Sequence, residues 1–249
     1  MLLYRSSTFL LKIQYNVIRQ IVIQNILTPR KIYVIIIEKQ HGDKKMNFNQ
    51  AKFKEFTLDE AEEWGRKNYV DWLPELQSQD YEPQTPAEEF FRYYTQGIHN
   101  FFNETTRYDE TDTFYFDERY FSKEMFDDSI KEINCHPIPD DIVVYRYVPK
   151  TLIKKMLDWG DSKSLKRNST LVDKGFFSTT LNIGAVKSRG YAELRKHLLF
   201  RIYVPKGTPS VYVDLISDMH EQEMLFAPGI KLKVIWKCWF GKFVECIVC

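Results

Sequence analysis

Ile142-Val143-Val144-Tyr145-Arg146-Tyr147-Val148 divides this chain into two halves of different character. Every residue of the run except the arginine is β-branched or aromatic, a composition that suits a pleated, half-buried surface, so it reads as a strand. An unpaired guanidinium is costly to bury, so Arg146 either faces solvent or has an anion to meet. Working outward toward the C-terminus, further strands are expected at 175–179, 198–204, 210–213, 222–226, 231–236 and near 243–248. Turns at Pro205-Lys206-Gly207 and Pro228-Gly229 separate several of them. A helix is expected near 151–159.

Toward the N-terminus the period changes from two to 3.6. Thr57 or Asp59 can cap a helix whose early turns hold Glu60, Glu62 and Glu63 and whose apolar side is Ala61, Trp64 and Tyr69. Trp72 and Leu73 extend it, and Pro74 ends or kinks it. After a loop marked by Pro83 and Pro86, residues 87–102 read as a second helix, with Phe90, Phe91, Tyr94, Ile98 and Phe101 near helical spacing. The acidic, aromatic stretch 108–133 is expected to hold one or two more helical segments. The fold class is therefore α+β. Helices at 46–136 should pack on a β-rich part, 137–249, built of two mostly antiparallel sheets.

The 249 residues suit one large domain or two small ones. Eighteen Phe and 15 Tyr supply a core and favour sheet faces. With 35 basic and 34 acidic residues, the net charge of +1 argues against a nucleic-acid or polybasic membrane role. Residues 1–45 hold eight Lys/Arg and two Asp/Glu, leaving 27 basic against 32 acidic residues, a net of −5, in the rest. Basic residues break each apolar run of this atypical segment before it reaches membrane-spanning length. It also shows no clear signal peptide. Gly42-Asp43 ahead of Met46 can be encoded as a ribosome-binding sequence, so translation from Met46 is one reading and an N-terminal helix and strand the other. Cys135, Cys238, Cys246 and Cys249 form no spaced ligand cluster. Although Cys246 and Cys249 have CxxC spacing, no second ligand pair lies near them, so no metal is expected.

Two further stretches carry chemistry. Gly175-Phe176-Phe177-Ser178-Thr179-Thr180 puts three hydroxyls in a row. His220-Glu221-Gln222-Glu223 runs into Met224-Leu225-Phe226. If extended, it turns Glu221 and Glu223 to one side, because strand side chains alternate. Paired acids on one face invite opposed pKa values and separate roles. Taken alone, the same residues fit an acidic surface turn.

In chain order, Val144-Tyr145-Arg146-Tyr147, Phe177-Ser178-Thr179-Thr180, Val204-Pro205-Lys206-Gly207-Thr208 and Glu221-Gln222-Glu223 resemble landmarks of the bacterial ADP-ribosyltransferase exotoxins. The resemblance is to the arginine–serine–glutamate class, which includes C3-type exoenzymes and the enzymatic components of binary actin-modifying toxins. Ala61-Glu62-Glu63-Trp64-Gly65, with Tyr69 and Trp72, is similar to the opening helix of the binary toxins' domain. There are departures: Thr180 stands where the family has a last serine, and Phe226-Ala227-Pro228 stands for Leu-Leu-Pro.

The resemblance implies NAD as substrate and a protein as acceptor, with Glu223, Glu221, Ser178 and Arg146 as catalytic residues. NAD contacts would come from Arg146, Tyr147, Ser178, Thr180, Arg189 and Glu223, with Arg195 the alternative to Arg189. Ser178 would orient Glu223, and Glu221 implies arginine rather than asparagine as the modified side chain. Leu215, Ile216 and Met219 would face the target protein. A secreted or host-delivered monomer is implied, working alone or with a separate binding component, without nucleic acid or a membrane span. The competing readings are an NAD glycohydrolase and an inactive binding module of the same fold.

Overall fold

Two capping boxes start the helical layer. Helix α1 (Leu58–Tyr69) begins where the Thr57 hydroxyl accepts from the Glu60 amide at 3.4 Å and the Glu60 carboxylate accepts from the Thr57 N–H at 2.9 Å. Helix α2 (Pro86–Tyr93) repeats the device with Thr85 and Glu88, and Pro86 takes the first helical turn. The expected extension of α1 does not form. Leu73 turns left-handed (φ 42°) and Pro74–Gln77 make a 3-10 turn, because proline disfavours an α-helical residue before it. Trp72 is nonetheless buried, its indole N–H donating to Glu132 at 3.0 Å.

The computed structural model describes residues 48–78, 80–108, 122–157, 165–188, 196–238 and 243–249, within a compact unit from Asn47 to Cys249. Segment 1–45, the candidate start at Met46, and both Arg189 and Arg195 lie outside the described residues. None of the described helices is long and apolar enough to cross a membrane. The second expected helix is two. After α2 the chain passes a π turn (Tyr94–Ile98), kinks at Gly97 with φ 102°, and resumes as α3 (His99–Tyr108). Glycine adopts that positive φ without steric cost, and helical periodicity does not reveal it. Helix α4 (Lys123–Asn134) is capped by Ser122. A short α5 (Lys150–Met156) follows the first strand, and α6 (Ile183–Ser188) follows the third.

Among the described residues eight strands follow α4: β1 (Ile142–Pro149), β2 (Thr170–Asp173), β3 (Phe177–Thr180), β4 (His197–Val204), β5 (Val211–Tyr212), β6 (Glu223–Phe226), β7 (Ile230–Lys237) and β8 (Phe243–Val248). They form one sheet in the order β2-β7-β8-β4-β1-β3-β6-β5, antiparallel except between β4 and β8. The α+β class is as expected, but the two expected sheets are one continuous ladder. Its narrow point is between β1 and β3, joined at the single register pair Tyr145↔Thr180. Strand β2, unforeseen, is four residues at the sheet edge, paired with β7.

Alternation along β1 separates two cores. Val144 and Val148 enter the main cluster under the helices; Val143 and Tyr145 join a smaller one with Phe53 and Tyr203 on the other face. In the main core Phe90 stacks on Phe102 at 5.0 Å and meets Phe176 at 4.6 Å, tying α2 and α3 to the approach to β3. Each such fully buried ring contributes about 1.5–3 kcal/mol of transfer free energy. Gly65 is the point of closest approach: a Cβ there would lie 2.2 Å from the Tyr212 ring, so a side chain would push α1 off β5.

Candidate active site

Arg146 stands in β1 on the face of Val144 and Val148, above the main core. Its guanidinium donates to the Ser178 carbonyl oxygen at 2.9 Å and lies 4.4 Å from the Phe177 ring centroid. Burial and the nearby charge of Arg107 lower its pKa, while Asp173, Tyr94 and Glu223 act in the opposite sense. Arg146 is half-buried, and the hydrogen bond of its guanidinium goes to a carbonyl oxygen. Its planar donor fork suits a pyrophosphate.

Arg107, on α3, makes the second cationic group. It grips the fully buried Asp173 carboxylate with two bonds, Nε at 2.7 Å and Nη2 at 2.8 Å, and Nη2 also donates to the Phe176 carbonyl at 2.9 Å. Gly175 makes room for it: a Cβ there would come within 2.7 Å of Arg107 Nε. Tyr94, fully buried on the π turn, has its phenol pKa pushed up, first by burial and then by the charge of Glu223, so it stays neutral. A helix end, the β2–β3 turn and the head of β6 therefore converge on Arg146.

Glu223 opens β6 and its backbone pairs with Thr180 of β3. It is half-buried, and its charge acts on both Tyr94 and Arg146. The strand begins at Glu223, not at Gln222 as expected, because Gln222 is left-handed (φ 50°), as is His220 (φ 49°). Glu221 and Glu223 therefore do not owe their directions to strand alternation. The Glu221 carbonyl accepts from the Thr180 hydroxyl at 2.6 Å, and the Glu221 amide donates to Asp214 at 2.7 Å.

Ser178 is half-buried on β3, and its carbonyl rather than its hydroxyl forms the link to Arg146. Thr179 donates to the Met224 carbonyl at 3.1 Å, binding β3 to β6 from within. Thr180 is buried and tied to the Glu221 main chain, so it supports the acidic loop directly. Tyr147 follows Arg146 in the strand and so alternates toward the opposite face, apart from the Arg146 guanidinium. Leu215 and Ile216 pack partly buried on the main core, whereas Met219 is 61% exposed at the tip of the loop before Glu221. Arg107 and Asp173 did not stand out in the sequence, Tyr94 was read only as an apolar helix position, and Asp214 only as the start of the loop, about 214–220, that resembles the family's substrate-recognition turn.

Among the described residues no group of three His, Cys, Asp or Glu is placed to hold a metal. Cys246 is buried in β8 while Cys249 is exposed beyond its end.

Comparison with known proteins gives the same picture. The profile of the family described as ADP-ribosyltransferase exoenzyme matches residues 61–243. No curated protein sequence matches the chain. Among solved structures, C3stau2 from S. aureus with NAD is similar at TM-score 0.58 and 19% identity, over 80% of this chain and 99% of that one. Plx2a, an ADP-ribosyltransferase toxin from Paenibacillus larvae, is similar at TM-score 0.54 and 20% identity, over 78% and 98%. The enzymatic component C2-I of the C2-toxin from Clostridium botulinum gives 0.55 and 14%, over 79% of this chain and 50% of that one. The fold, the matched profile and the cluster around Arg146 and Glu223 agree: the chain belongs to the ADP-ribosyltransferase exoenzyme family, toxins that use NAD as the source of ADP-ribose.

Proposed function

We propose that this protein transfers one ADP-ribose from NAD to an arginine of a host protein, releasing nicotinamide, with Glu223 as the NAD-cleaving carboxylate. The observation that carries the reading is the placement of Glu223 at the head of β6, where its charge acts on both Arg146 and the buried Tyr94. Nicotinamide leaves as a neutral molecule with the electron pair of the broken ribosyl C–N bond. The ribose carbon left behind is oxocarbenium-like, and a fixed carboxylate at short range offsets its charge. Arg146 holds the pyrophosphate, Ser178 orients Glu223, and Thr180 and Arg189 complete the NAD pocket, whereas Tyr147, on the other face of β1, is left out of it.

The acceptor guanidinium is protonated and a poor nucleophile. Glu221 orients it and takes its proton as the new bond forms between a guanidinium nitrogen and the ribose carbon. Met219, exposed beside this loop, meets the target protein. Actin fits the likeness to binary-toxin components, a separate binding component would then deliver the enzyme, and the catalytic unit acts as a monomer. We place that unit at residues 46–249, with its helical part at 46–136. Support comes from Lys54, which already pairs beside Ile142 and donates to the Asp141 carbonyl at 2.9 Å. Detection of a peptide from residues 13–30 in the native product would overturn a start at Met46.

The deciding experiment incubates the purified protein with labelled NAD and host-cell lysate, then maps the modified residue by mass spectrometry. A labelled arginine supports the reading. Label on asparagine, or NAD consumption without any labelled protein, overturns it.

A further inference from the structure

Among the described residues only four non-glycine positions have positive φ, and two of them, His220 and Gln222, flank Glu221. L-residues rarely hold this conformation unless their surroundings impose it. The bonds that impose it come from three directions. The Thr180 hydroxyl holds the Glu221 carbonyl at 2.6 Å, and the Leu181 amide holds the Gln222 carbonyl at 3.0 Å. On the amide side, Asp214 Oδ1 accepts from the Glu221 N–H at 2.7 Å, and the N–H groups of Gln222 and Glu223 also act on the same carboxylate.

Register delivers Asp214 to this spot. It lies two residues past Tyr212, which pairs with Met224 of β6, so the 3-10 turn Val213–Ile216 returns beneath the residues that precede the strand. Tyr212 adds its own hydroxyl, donating to Oδ2 at 3.4 Å. Holding a carboxylate here works against burial, which raises its pKa, while the amides and the nearby His220 act the other way. A neutral side chain would avoid that desolvation, but it would not offer acceptors on both oxygens to successive N–H groups.

We propose that Asp214 is the positioning residue of the acidic pair: its carboxylate holds the Glu221 amide and so sets where the Glu221 carboxylate stands relative to Glu223. The pleat places Glu223, the first residue of β6, but not Glu221, because Gln222 interrupts it; the clamp sets Glu221 against Glu223. The proposal rests on the reading that Glu223 cleaves NAD and Glu221 serves the acceptor. Misplacing a reacting group by about 1 Å can cost about 100-fold in rate without loss of binding. The clamp should therefore appear in kcat rather than in KM.

The test measures NAD hydrolysis, and transfer to agmatine as a small guanidine acceptor, in D214N, H220V, H220G and E223Q. For D214N, kcat should fall roughly 10- to 100-fold in both reactions, by the cost of misplacement. KM for NAD should stay near the wild-type value and the melting temperature should hold, outcomes that general loosening of the fold would not give. His220 is exposed, so its variants fold even if D214N does not. A β-branched valine resists positive φ and glycine accepts it, so H220V should lose clearly more kcat than H220G. Wild-type kcat in D214N overturns the proposal, as does a kcat loss matched by an equal loss of NAD affinity, or equal rates in H220V and H220G. If E223Q cleaves NAD at the wild-type rate, the catalytic assignment fails; if E223Q is slowed roughly 10²–10³-fold while D214N is fully active, only the clamp fails.

Discussion

The β1–β4 ladder and the segment from His220 to Glu223 are built on opposite principles. The ladder runs through eight uninterrupted register pairs, from Ile142↔Val204 to Pro149↔His197, and its inward side chains are almost all apolar and buried. The acidic segment has two left-handed residues within three positions and is held by side-chain oxygens of Thr180 and Asp214. The first derives its stability from area removed from water, an undirected effect. The second uses directed hydrogen bonds, which add little net stability yet fix atoms in place. Arg146 connects them: its backbone belongs to the ladder, and its guanidinium reaches the carbonyl of Ser178 on β3. Stability and chemistry can thus be disturbed separately.

The largest expected effect strikes the ladder. Phe200 is fully buried opposite Arg146, and Phe200→Ala should cost about 3–5 kcal/mol, read as a large fall in melting temperature. Next is Glu223→Gln, which should lower kcat for both transfer and hydrolysis by roughly 10²–10³-fold, as loss of a preorganised electrostatic group does. Its melting temperature should not change. If it falls as far as in Phe200→Ala, the division between the two regions is wrong. Glu221→Gln sharpens the contrast inside the acidic segment: transfer to arginine should drop about 100-fold, the scale of lost acid–base assistance, while NAD hydrolysis persists. Equal loss of both activities would count against separate roles for the two acids. The smallest effect lies far from both regions, in the α1 capping box, where Thr57→Ala should cost about 1 kcal/mol in chemical denaturation and leave kcat alone.

Much of this was legible in the residues themselves. The β-branched run around Arg146, the Thr57 cap and most strands could be read from local chemistry, because hydrophobic period and capping act between near neighbours in the chain. The order of Arg146, Ser178, Glu221 and Glu223 likewise pointed to NAD and to the family that the profile match establishes. Other features required the folded chain. Arg107 and Asp173 are 66 residues apart, and nothing local marks either as the other's partner. The joining of the strands into one sheet depends on the single pair Tyr145↔Thr180, which no turn or period announces. The left-handed Gln222 overrode strand alternation because bonds from Thr180, Leu181 and Asp214 outweigh its backbone preference. The sequence alone pointed to the candidate acids, arginine and hydroxyls. Where the two acids stand was decided only by tertiary structure, since it depends on hydrogen bonds between segments that are distant in the chain.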